Sequence, residues 1–235
     1  PVAWSTYIPG MDPGGHGLFD FVGLDRKTLS PYLSAARVEP AGLKPIALGR
    51  WRIPLGADRT VLLRDGEAFW EVLDREDIPV RIFQVPANYP PVPAGWAISG
   101  MGTPDLRGTP GTFSYYTSDP RVRAGAVSGG VVRRVAPVGG VVTAALEGPP
   151  NALLEGAPWS TVDFRLQLDR EHDVALFEAG SARALLRPGE WSDWLALRFP
   201  LVPGLVEVPG MVRVYLQQLR PYVALYVSPV NIDPR

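Results

Sequence analysis

The 235-residue sequence contains no cysteine. That excludes disulfides, thiolate metal sites and a cysteine nucleophile together, and it leaves the compartment undecided. Histidine occurs only at His16 and His172, so a catalytic zinc site built from these residues would have to lean on carboxylates. Lysine is nearly missing as well: apart from Lys27 and Lys44, every basic side chain is arginine. With abundant alanine, glycine and proline, this composition points to a GC-rich bacterial source. No sign of charge dominates, because the formal net charge is −1, and the electrostatic footprint of a nucleic-acid binder is absent. Long apolar runs are missing too. The least polar stretch, residues 122–146, is interrupted by Arg123, Arg133, Arg134 and several glycines, so nothing reads as a membrane span. The chain opens on Pro1-Val2-Ala3-Trp4 with no initiator methionine and no basic-then-apolar signal segment.

What is plentiful is turn chemistry. The chain has 25 glycines and 26 prolines, a share that favours many short strands over long helices. Apolar residues make up 46% and charged residues 20%, enough to bury a core without staples. Pro1 to Ile8 read as the first turns of a helix, with proline in a tolerated position, stopped by Pro9-Gly10. Residues 46–63 read as two short strands around the turn Gly56-Ala57-Asp58-Arg59. The clearest helix is expected over 67–76, capped by Asp65 and burying Phe69, Val72 and Leu73, and a strand from Val80 to Phe83 follows it. A helix feeding an apolar strand suggests an α/β fold.

From about Arg121 the texture changes. Residues 131–135 and 141–146 flank Gly139-Gly140 and read as a hairpin. Residues 161–168 alternate throughout and are answered by 174–177 across a polar turn. Segments 195–199, 212–219 and 222–227 complete an antiparallel set. The expected layout is an α/β core segment over 1–120 and a mainly antiparallel β insertion over 121–235 that returns to the core.

Several constellations fail on their own terms. Gly100-Met101-Gly102-Thr103-Pro104-Asp105 lacks the third glycine of a dinucleotide fingerprint and has a proline where a helix should begin. Residues 169–173 place three carboxylates at alternate positions, but without the glycine and bidentate glutamate of a calcium loop, so they read as a solvated turn. No Gly-x-Ser-x-Gly elbow supports a serine triad. Trp191-Ser192-Asp193-Trp194 offers aromatics that stack on sugars when exposed, although in strand-rich units tryptophan more often packs between sheets.

The opening segment is the most specific feature. Trp4-Ser-Thr-Tyr-Ile-Pro-Gly-Met-Asp-Pro-Gly-Gly-His-Gly-Leu-Phe-Asp20 resembles the active-site helix and following turn of type I phosphodiesterase/nucleotide pyrophosphatase-like proteins of the alkaline phosphatase superfamily. Gly10, Pro13, His16, Gly17 and Asp20 match that pattern, and a Ser or Thr nucleophile would then fall one position before Pro1. The likeness extends to 69–73, 86–91, 99–105, 189–194 and 228–233. It departs at Pro9, in place of a threonine, and at Phe21, where nucleotide pyrophosphatases place an asparagine.

The resemblance implies an internal fragment of a metal-dependent phosphoric ester hydrolase with an alkaline-phosphatase-like α/β core. The intact protein would hold two zinc ions through ligands outside residues 1–235. The substrate implied is a small phosphate ester, held at a helix start whose unpaired N–H groups favour a phosphoryl group. On that reading Val2, Ala3, Trp4, Asn88 and Tyr89 are substrate-binding. His16, Asp20 and Asp105 fix turns near the site, and none of the chain's own residues is the nucleophile or a metal ligand. The fragment alone would be inactive. The alternatives are a β-rich carbohydrate- or partner-binding module carrying Trp159, Trp191 and Trp194, or a degenerate, non-catalytic member of the family. Oligomeric state is not legible.

Overall fold

The computed structural model describes residues 2–39, 41–42, 44–56, 58–91, 96–100 and 103–233. Strands hold 47% of the residues and helices only 8%, with three short helices among the described residues. The fold is therefore β-rich, and the expected α/β core is overturned. The physical reason lies in the one helix–strand succession that suggested it. The helix Phe69–Arg75 leads into Arg81–Val85, but the strand before it, Arg59–Leu62, pairs antiparallel with Ala36–Glu39 and not with Arg81–Val85. Among the described residues no crossover helix joins two parallel neighbours, which is what a βαβ unit requires. The parallel pair Arg81–Val85 and Trp96–Ser99 forms a sheet of two strands only.

The chain divides into two compact units, residues 1–46 with 54–103 and residues 47–53 with 104–235. The first carries the helices Val2–Tyr7, Pro13–His16 and Phe69–Arg75 between short hairpins. Its core is small, with Ile8, Ala68, Trp70 and Ile82 buried against Val80, Val85 and Ala97. The helix Phe69–Arg75 is capped differently from expectation. Ala68 is its N-cap, and the Ala68 N–H donates to the Glu71 carboxylate at 2.7 Å, the return half of a capping box. Its buried residue is Trp70, whereas Phe69 and Val72 are exposed. The strands expected around residues 56–59 also shift. Ile46–Leu48 pairs with Trp51–Ile53, so the reversal falls at Gly49-Arg50. Ala57 of the expected turn lies outside the described residues.

The second unit holds three sheets around one core. The six-stranded sheet runs Gly125–Val127, Gly130–Arg134, Phe113–Thr117, Ala224–Val227, Val214–Gln218, Glu190–Trp191. The four-stranded sheet is a meander of Val141–Pro150, Trp159–Asp169, Val174–Ala179 and Ala182–Leu186, and Leu195–Val202, Val206–Val212 and Asn231–Ile232 form the third. Strict alternation makes Trp159–Asp169 two-faced, with Ser160, Phe164 and Leu166 turned inward. Phe164 stacks on Phe177 with centroids 5.2 Å apart, and its edge meets Tyr116 of the six-stranded sheet at 4.8 Å. These contacts join the sheets as a sandwich core. Each such ring contributes roughly 1.5–3 kcal/mol by leaving water.

Two expected features are redistributed here. Val138 and Val141 do bridge across Gly139-Gly140, but the strands on either side, Gly130–Arg134 and Val141–Pro150, belong to different sheets. The expected single strand 212–219 breaks at Arg213. Val206–Val212 ends in the three-stranded sheet and Val214–Gln218 begins in the six-stranded one.

Candidate functional site

The residues singled out by the family resemblance fall mostly in the first unit. Val2, Ala3 and Trp4 open a helix of six residues; Pro1 lies outside the described residues. Helix Pro13–His16 follows, with Asp12 as N-cap accepting from the Gly15 N–H at 2.9 Å. His16 is fully buried. The Leu18 N–H donates to its Nδ1 at 3.2 Å, so Nε2 carries the proton and donates to the Thr6 hydroxyl at 3.1 Å. Both ring nitrogens are thus committed to tying the first helix to the turn. Asp20 is exposed, and its carboxylate accepts from the Phe21 N–H at 2.6 Å while its carbonyl accepts from the Ser34 hydroxyl. Phe21 itself is 64% exposed.

Asn88 is buried, and among the described residues neither atom of its side-chain amide has a partner. Its carbonyl accepts from the Ser99 hydroxyl at 2.5 Å; Tyr89 beside it is half-buried. Among the described residues no hydrogen bond joins Asn88 or Tyr89 to the helix Val2–Tyr7. Gly100 closes the strand before the Thr103-Pro104-Asp105 loop, and a Cβ there would sit 2.0 Å from the Gln84 carbonyl oxygen. That close approach explains the glycine; Met101 and Gly102 lie outside the described residues. Asp105 belongs to the second unit. Its buried carboxylate accepts from the N–H groups of Arg107, Thr109 and Thr112 and from the Thr109 hydroxyl, at 2.7–3.0 Å.

Among the described residues no three His, Cys, Asp or Glu side chains come together in a way that holds a metal ion. The donor set for zinc is not assembled by these residues, and no chemical step is assigned to it.

The second unit brings together residues that the sequence keeps apart. Val132, Tyr115, Tyr226, Tyr215 and Trp191 stand in one register across five strands of the six-stranded sheet. Their neighbours Ser114, Tyr116, Leu225, Val227, Val214 and Leu216 are buried, so alternation turns the row outward. Phe113 extends it, stacked on Tyr226 at 5.2 Å, and Trp191 lies 5.0 Å from Tyr215 and 5.6 Å from Tyr226. The Arg213 guanidinium sits 5.4 Å over Trp191 and donates from Nε to the Ser192 carbonyl at 2.7 Å. Partial burial raises the hydroxyl pKa of Tyr115, with Asp119 adding to it, and that of Tyr226. The strand Phe113–Thr117 lies outside the strands expected from the sequence; its alternation at Phe113-x-Tyr115 is a local signal for it, and nothing local shows which strands lie beside it.

An arginine cluster lies on the same unit. Glu147 is shared by Arg107, at 3.3 Å, and by Arg133. Arg107 also covers the Trp159 ring at 4.4 Å. Arg121 holds Asp119 down to about 2 through side-chain and backbone hydrogen bonds, with Arg134 adding to the pull.

No family model, characterised protein or solved structure matches the chain. Among the described residues no helix is long and apolar enough to cross a membrane.

Proposed function

We propose that the β-rich unit is a binding module that recognises a protein partner through the outward face of its six-stranded sheet. The observation that carries this reading is the registered row Tyr115, Tyr226, Tyr215 and Trp191, bordered by Phe113 and Arg213. Tyrosine, tryptophan and arginine are the side chains that dominate interface energetics; the two aromatics add large contact area at small entropic cost, and arginine adds a planar fork of donors. A carbohydrate platform is the less favoured form of the same reading. Stacking on a sugar needs a free ring face. Trp191 is flanked by Tyr215, Tyr226 and Arg213, and Trp159 is capped by Arg107. Trp194, 53% exposed, is the remaining candidate of that kind.

The test places a photoreactive phenylalanine analogue at Tyr215 in cells that make the protein. A discrete crosslinked protein, lost on Trp191→Ala, is the expected result. Absence of any crosslink, together with a shift of tryptophan emission on adding oligosaccharides, would replace the partner by a carbohydrate.

A second reading keeps the phosphoric ester hydrolase. What supports it is the lock between Thr6, His16 and Leu18, which holds the helix Val2–Tyr7 and the Gly-rich turn together in the segment that resembles the type I phosphodiesterase motif. On this reading the nucleophile and the zinc ligands are encoded outside residues 1–235, and the β-rich unit is the enzyme's recognition module. Sequencing the flanking DNA decides it. A Ser or Thr codon directly before Pro1, with Asp and His codons downstream, is the expected result; a start codon in that place would remove the reading.

A further inference from the structure

The four-stranded meander has a free edge at its first strand. Val141–Pro150 pairs with Trp159–Asp169 on one side, and among the described residues no strand of a sheet lies on its other side. Register fixes which backbone groups point that way. The Leu168 N–H donates to the Gly140 carbonyl, so in this antiparallel ladder Val142, Ala144 and Leu146 bond towards Trp159–Asp169, and Val141, Thr143 and Ala145 point away from it. Two further contacts agree with that parity. Val141 exchanges both of its backbone bonds with Val138, and the Ala145 carbonyl accepts from the Tyr116 hydroxyl at 2.7 Å. Among the described residues nothing bonds to the Thr143 N–H, the Thr143 carbonyl or the Ala145 N–H.

These three groups stand beside an open cleft of about 640 Å³ between residues 143–145 and the strand Gly130–Arg134. Ala144 and Val135 line it, packed on the main core and only partly buried, and Val131 adds to the apolar wall. The edge is closed at both ends, by the Val138–Val141 bridge and by Glu147, which is held by Arg107 and Arg133. What stays open is three residues long, the length of the edge strand Gly125–Val127. Unpaired N–H and C=O groups in a row are a template for another backbone. A peptide that takes them is held by main-chain bonds and sorted by its alternate side chains.

Charge selects the occupant. On the outer face of the meander Arg165 stands opposite Thr143, and Asp163 opposite Ala145. Both are exposed, and among the described residues neither is in an ion pair. Glu178, which faces Arg165 from the far side, is taken by Arg183 and Gln167. An added strand would lie two strand spacings from these charges, roughly 9.6 Å, and the small side chains of Thr143 and Ala145 leave the way between open.

We infer that this edge takes an extended segment of a partner protein as a fifth, antiparallel strand. The middle residue of that segment is apolar and lies over Ala144 and Val135. The residue before it is basic and meets Asp163; the residue after it is acidic and meets Arg165. The site is on a different sheet from the outward aromatic row, so it is tested separately from the reading of that row.

The experiment titrates the full 235-residue chain with acetyl-Gly-Lys-Val-Glu-Gly-amide and follows amide chemical shifts and solvent exchange. Saturable shifts centred on residues 143–145 and 131–135 are expected. With peptide at about nine times its Kd, exchange of the Thr143 and Ala145 N–H groups should slow about tenfold. The same peptide N-methylated at its glutamate lacks the donor for the Thr143 carbonyl and should not saturate. Exchanging its lysine and glutamate should weaken binding about fivefold, the scale of two exposed charge pairs. Thr143→Pro removes the outward N–H at an edge position that tolerates proline, and it should abolish binding; if its melting temperature falls, the N-methylated peptide decides. Four outcomes would each overturn the inference: no saturation by about 10 mM, tenfold beyond a millimolar affinity; equal binding of the N-methylated peptide; equal binding of the charge-exchanged peptide; or shifts centred on Tyr215 and Trp191. The last would leave the partner reading of the aromatic row standing.

Discussion

The guanidinium of Arg107 lies 4.4 Å over the ring of Trp159 while its Nη2 sits 3.3 Å from the Glu147 carboxylate. One side chain thereby holds an aromatic ring from Trp159–Asp169 and a charge from the neighbouring strand Val141–Pro150. Arg133 reaches the other oxygen of the same carboxylate. Among the described residues the buried Nε atoms of Arg107 and Arg133 have no partners. Glu147 is thus the common counter-charge of two guanidiniums that have left much of their water behind.

Removing that carboxylate leaves two cations facing each other. Glu147→Gln is expected to destabilise the β-rich unit by about 2–3 kcal/mol, below the 3–5 kcal/mol of a fully buried pair because Arg133 is partly solvated. Chemical denaturation followed by Trp159 emission checks it. A loss under 0.5 kcal/mol would mean that water already screens the cluster.

Tyr116 makes the pH dependence of the sandwich predictable on the alkaline side. Its hydroxyl donates to the Ala145 carbonyl at 2.7 Å, and burial, the largest cause, pushes its pKa up to about 12. In the unfolded chain it titrates near 10. A folded pKa above the unfolded one favours the neutral form, so this contribution is complete below about pH 10 and is lost as pH rises towards about 12. Ultraviolet titration of phenolate should show one tyrosine ionising only as the unit unfolds. Tyr116→Phe should remove that late step and cost about 1 kcal/mol at neutral pH through the lost hydrogen bond.

Much of the second unit is legible in its sequence, because strict alternation specifies a two-faced strand wherever one face is buried. Residues 161–168 show this directly. Adjacency is another matter. Nothing local in residues 212–219 says that the chain changes sheets at Arg213, or that the strands on either side of Gly139-Gly140 part company. The α/β expectation failed for a related reason: a helix followed by a strand is compatible with βαβ, but pairing decides, and Arg59–Leu62 pairs with Ala36–Glu39. In the first unit the small core takes Trp70 and leaves Phe69 and Val72 at the surface, which periodicity alone does not distinguish. The candidate sites scatter further. Tyr115, Tyr215 and Tyr226 meet only through register, and Glu147 meets Arg107 from forty residues away.

Arg64 presents the opposite case to Glu147, a buried cation with no carboxylate within ion-pair distance among the described residues. It is 6% exposed, and among the described residues its Nε and Nη1 lack partners and no acidic group lies within ion-pair distance. Burial lowers its pKa, opposed only by the more distant pull of Glu71. An unpaired buried charge is a net cost. Arg64→Met, which keeps the length of the stem, is expected to stabilise the first unit by about 1–2 kcal/mol, within the range seen when buried ionic groups are replaced by apolar ones. Hydrogen exchange of the strand Arg59–Leu62 gives the readout. Faster exchange in the variant would show that Arg64 has a counter-charge after all.

Gly148 lies so close under Phe199 that no side chain fits there. It lies in the strand Val141–Pro150, and a Cβ at this position would stand 2.1 Å from Cδ1 of Phe199, a residue with no exposed surface. Here the glycine is required by proximity, because the ring lies across the backbone and is itself held by the core. Gly148→Ala must push that ring out of its place, and overpacking of this kind costs about 1–3 kcal/mol or more. Phe199→Ala alone leaves a cavity and costs about 3–5 kcal/mol. The two changes act on the same space, so they should not add. In the double variant the alanine methyl occupies part of the volume the ring has vacated, and its loss should fall at least 1 kcal/mol short of the sum. Strict additivity in a denaturation cycle would mean that Phe199 moves aside freely, and that the glycine is there for another reason.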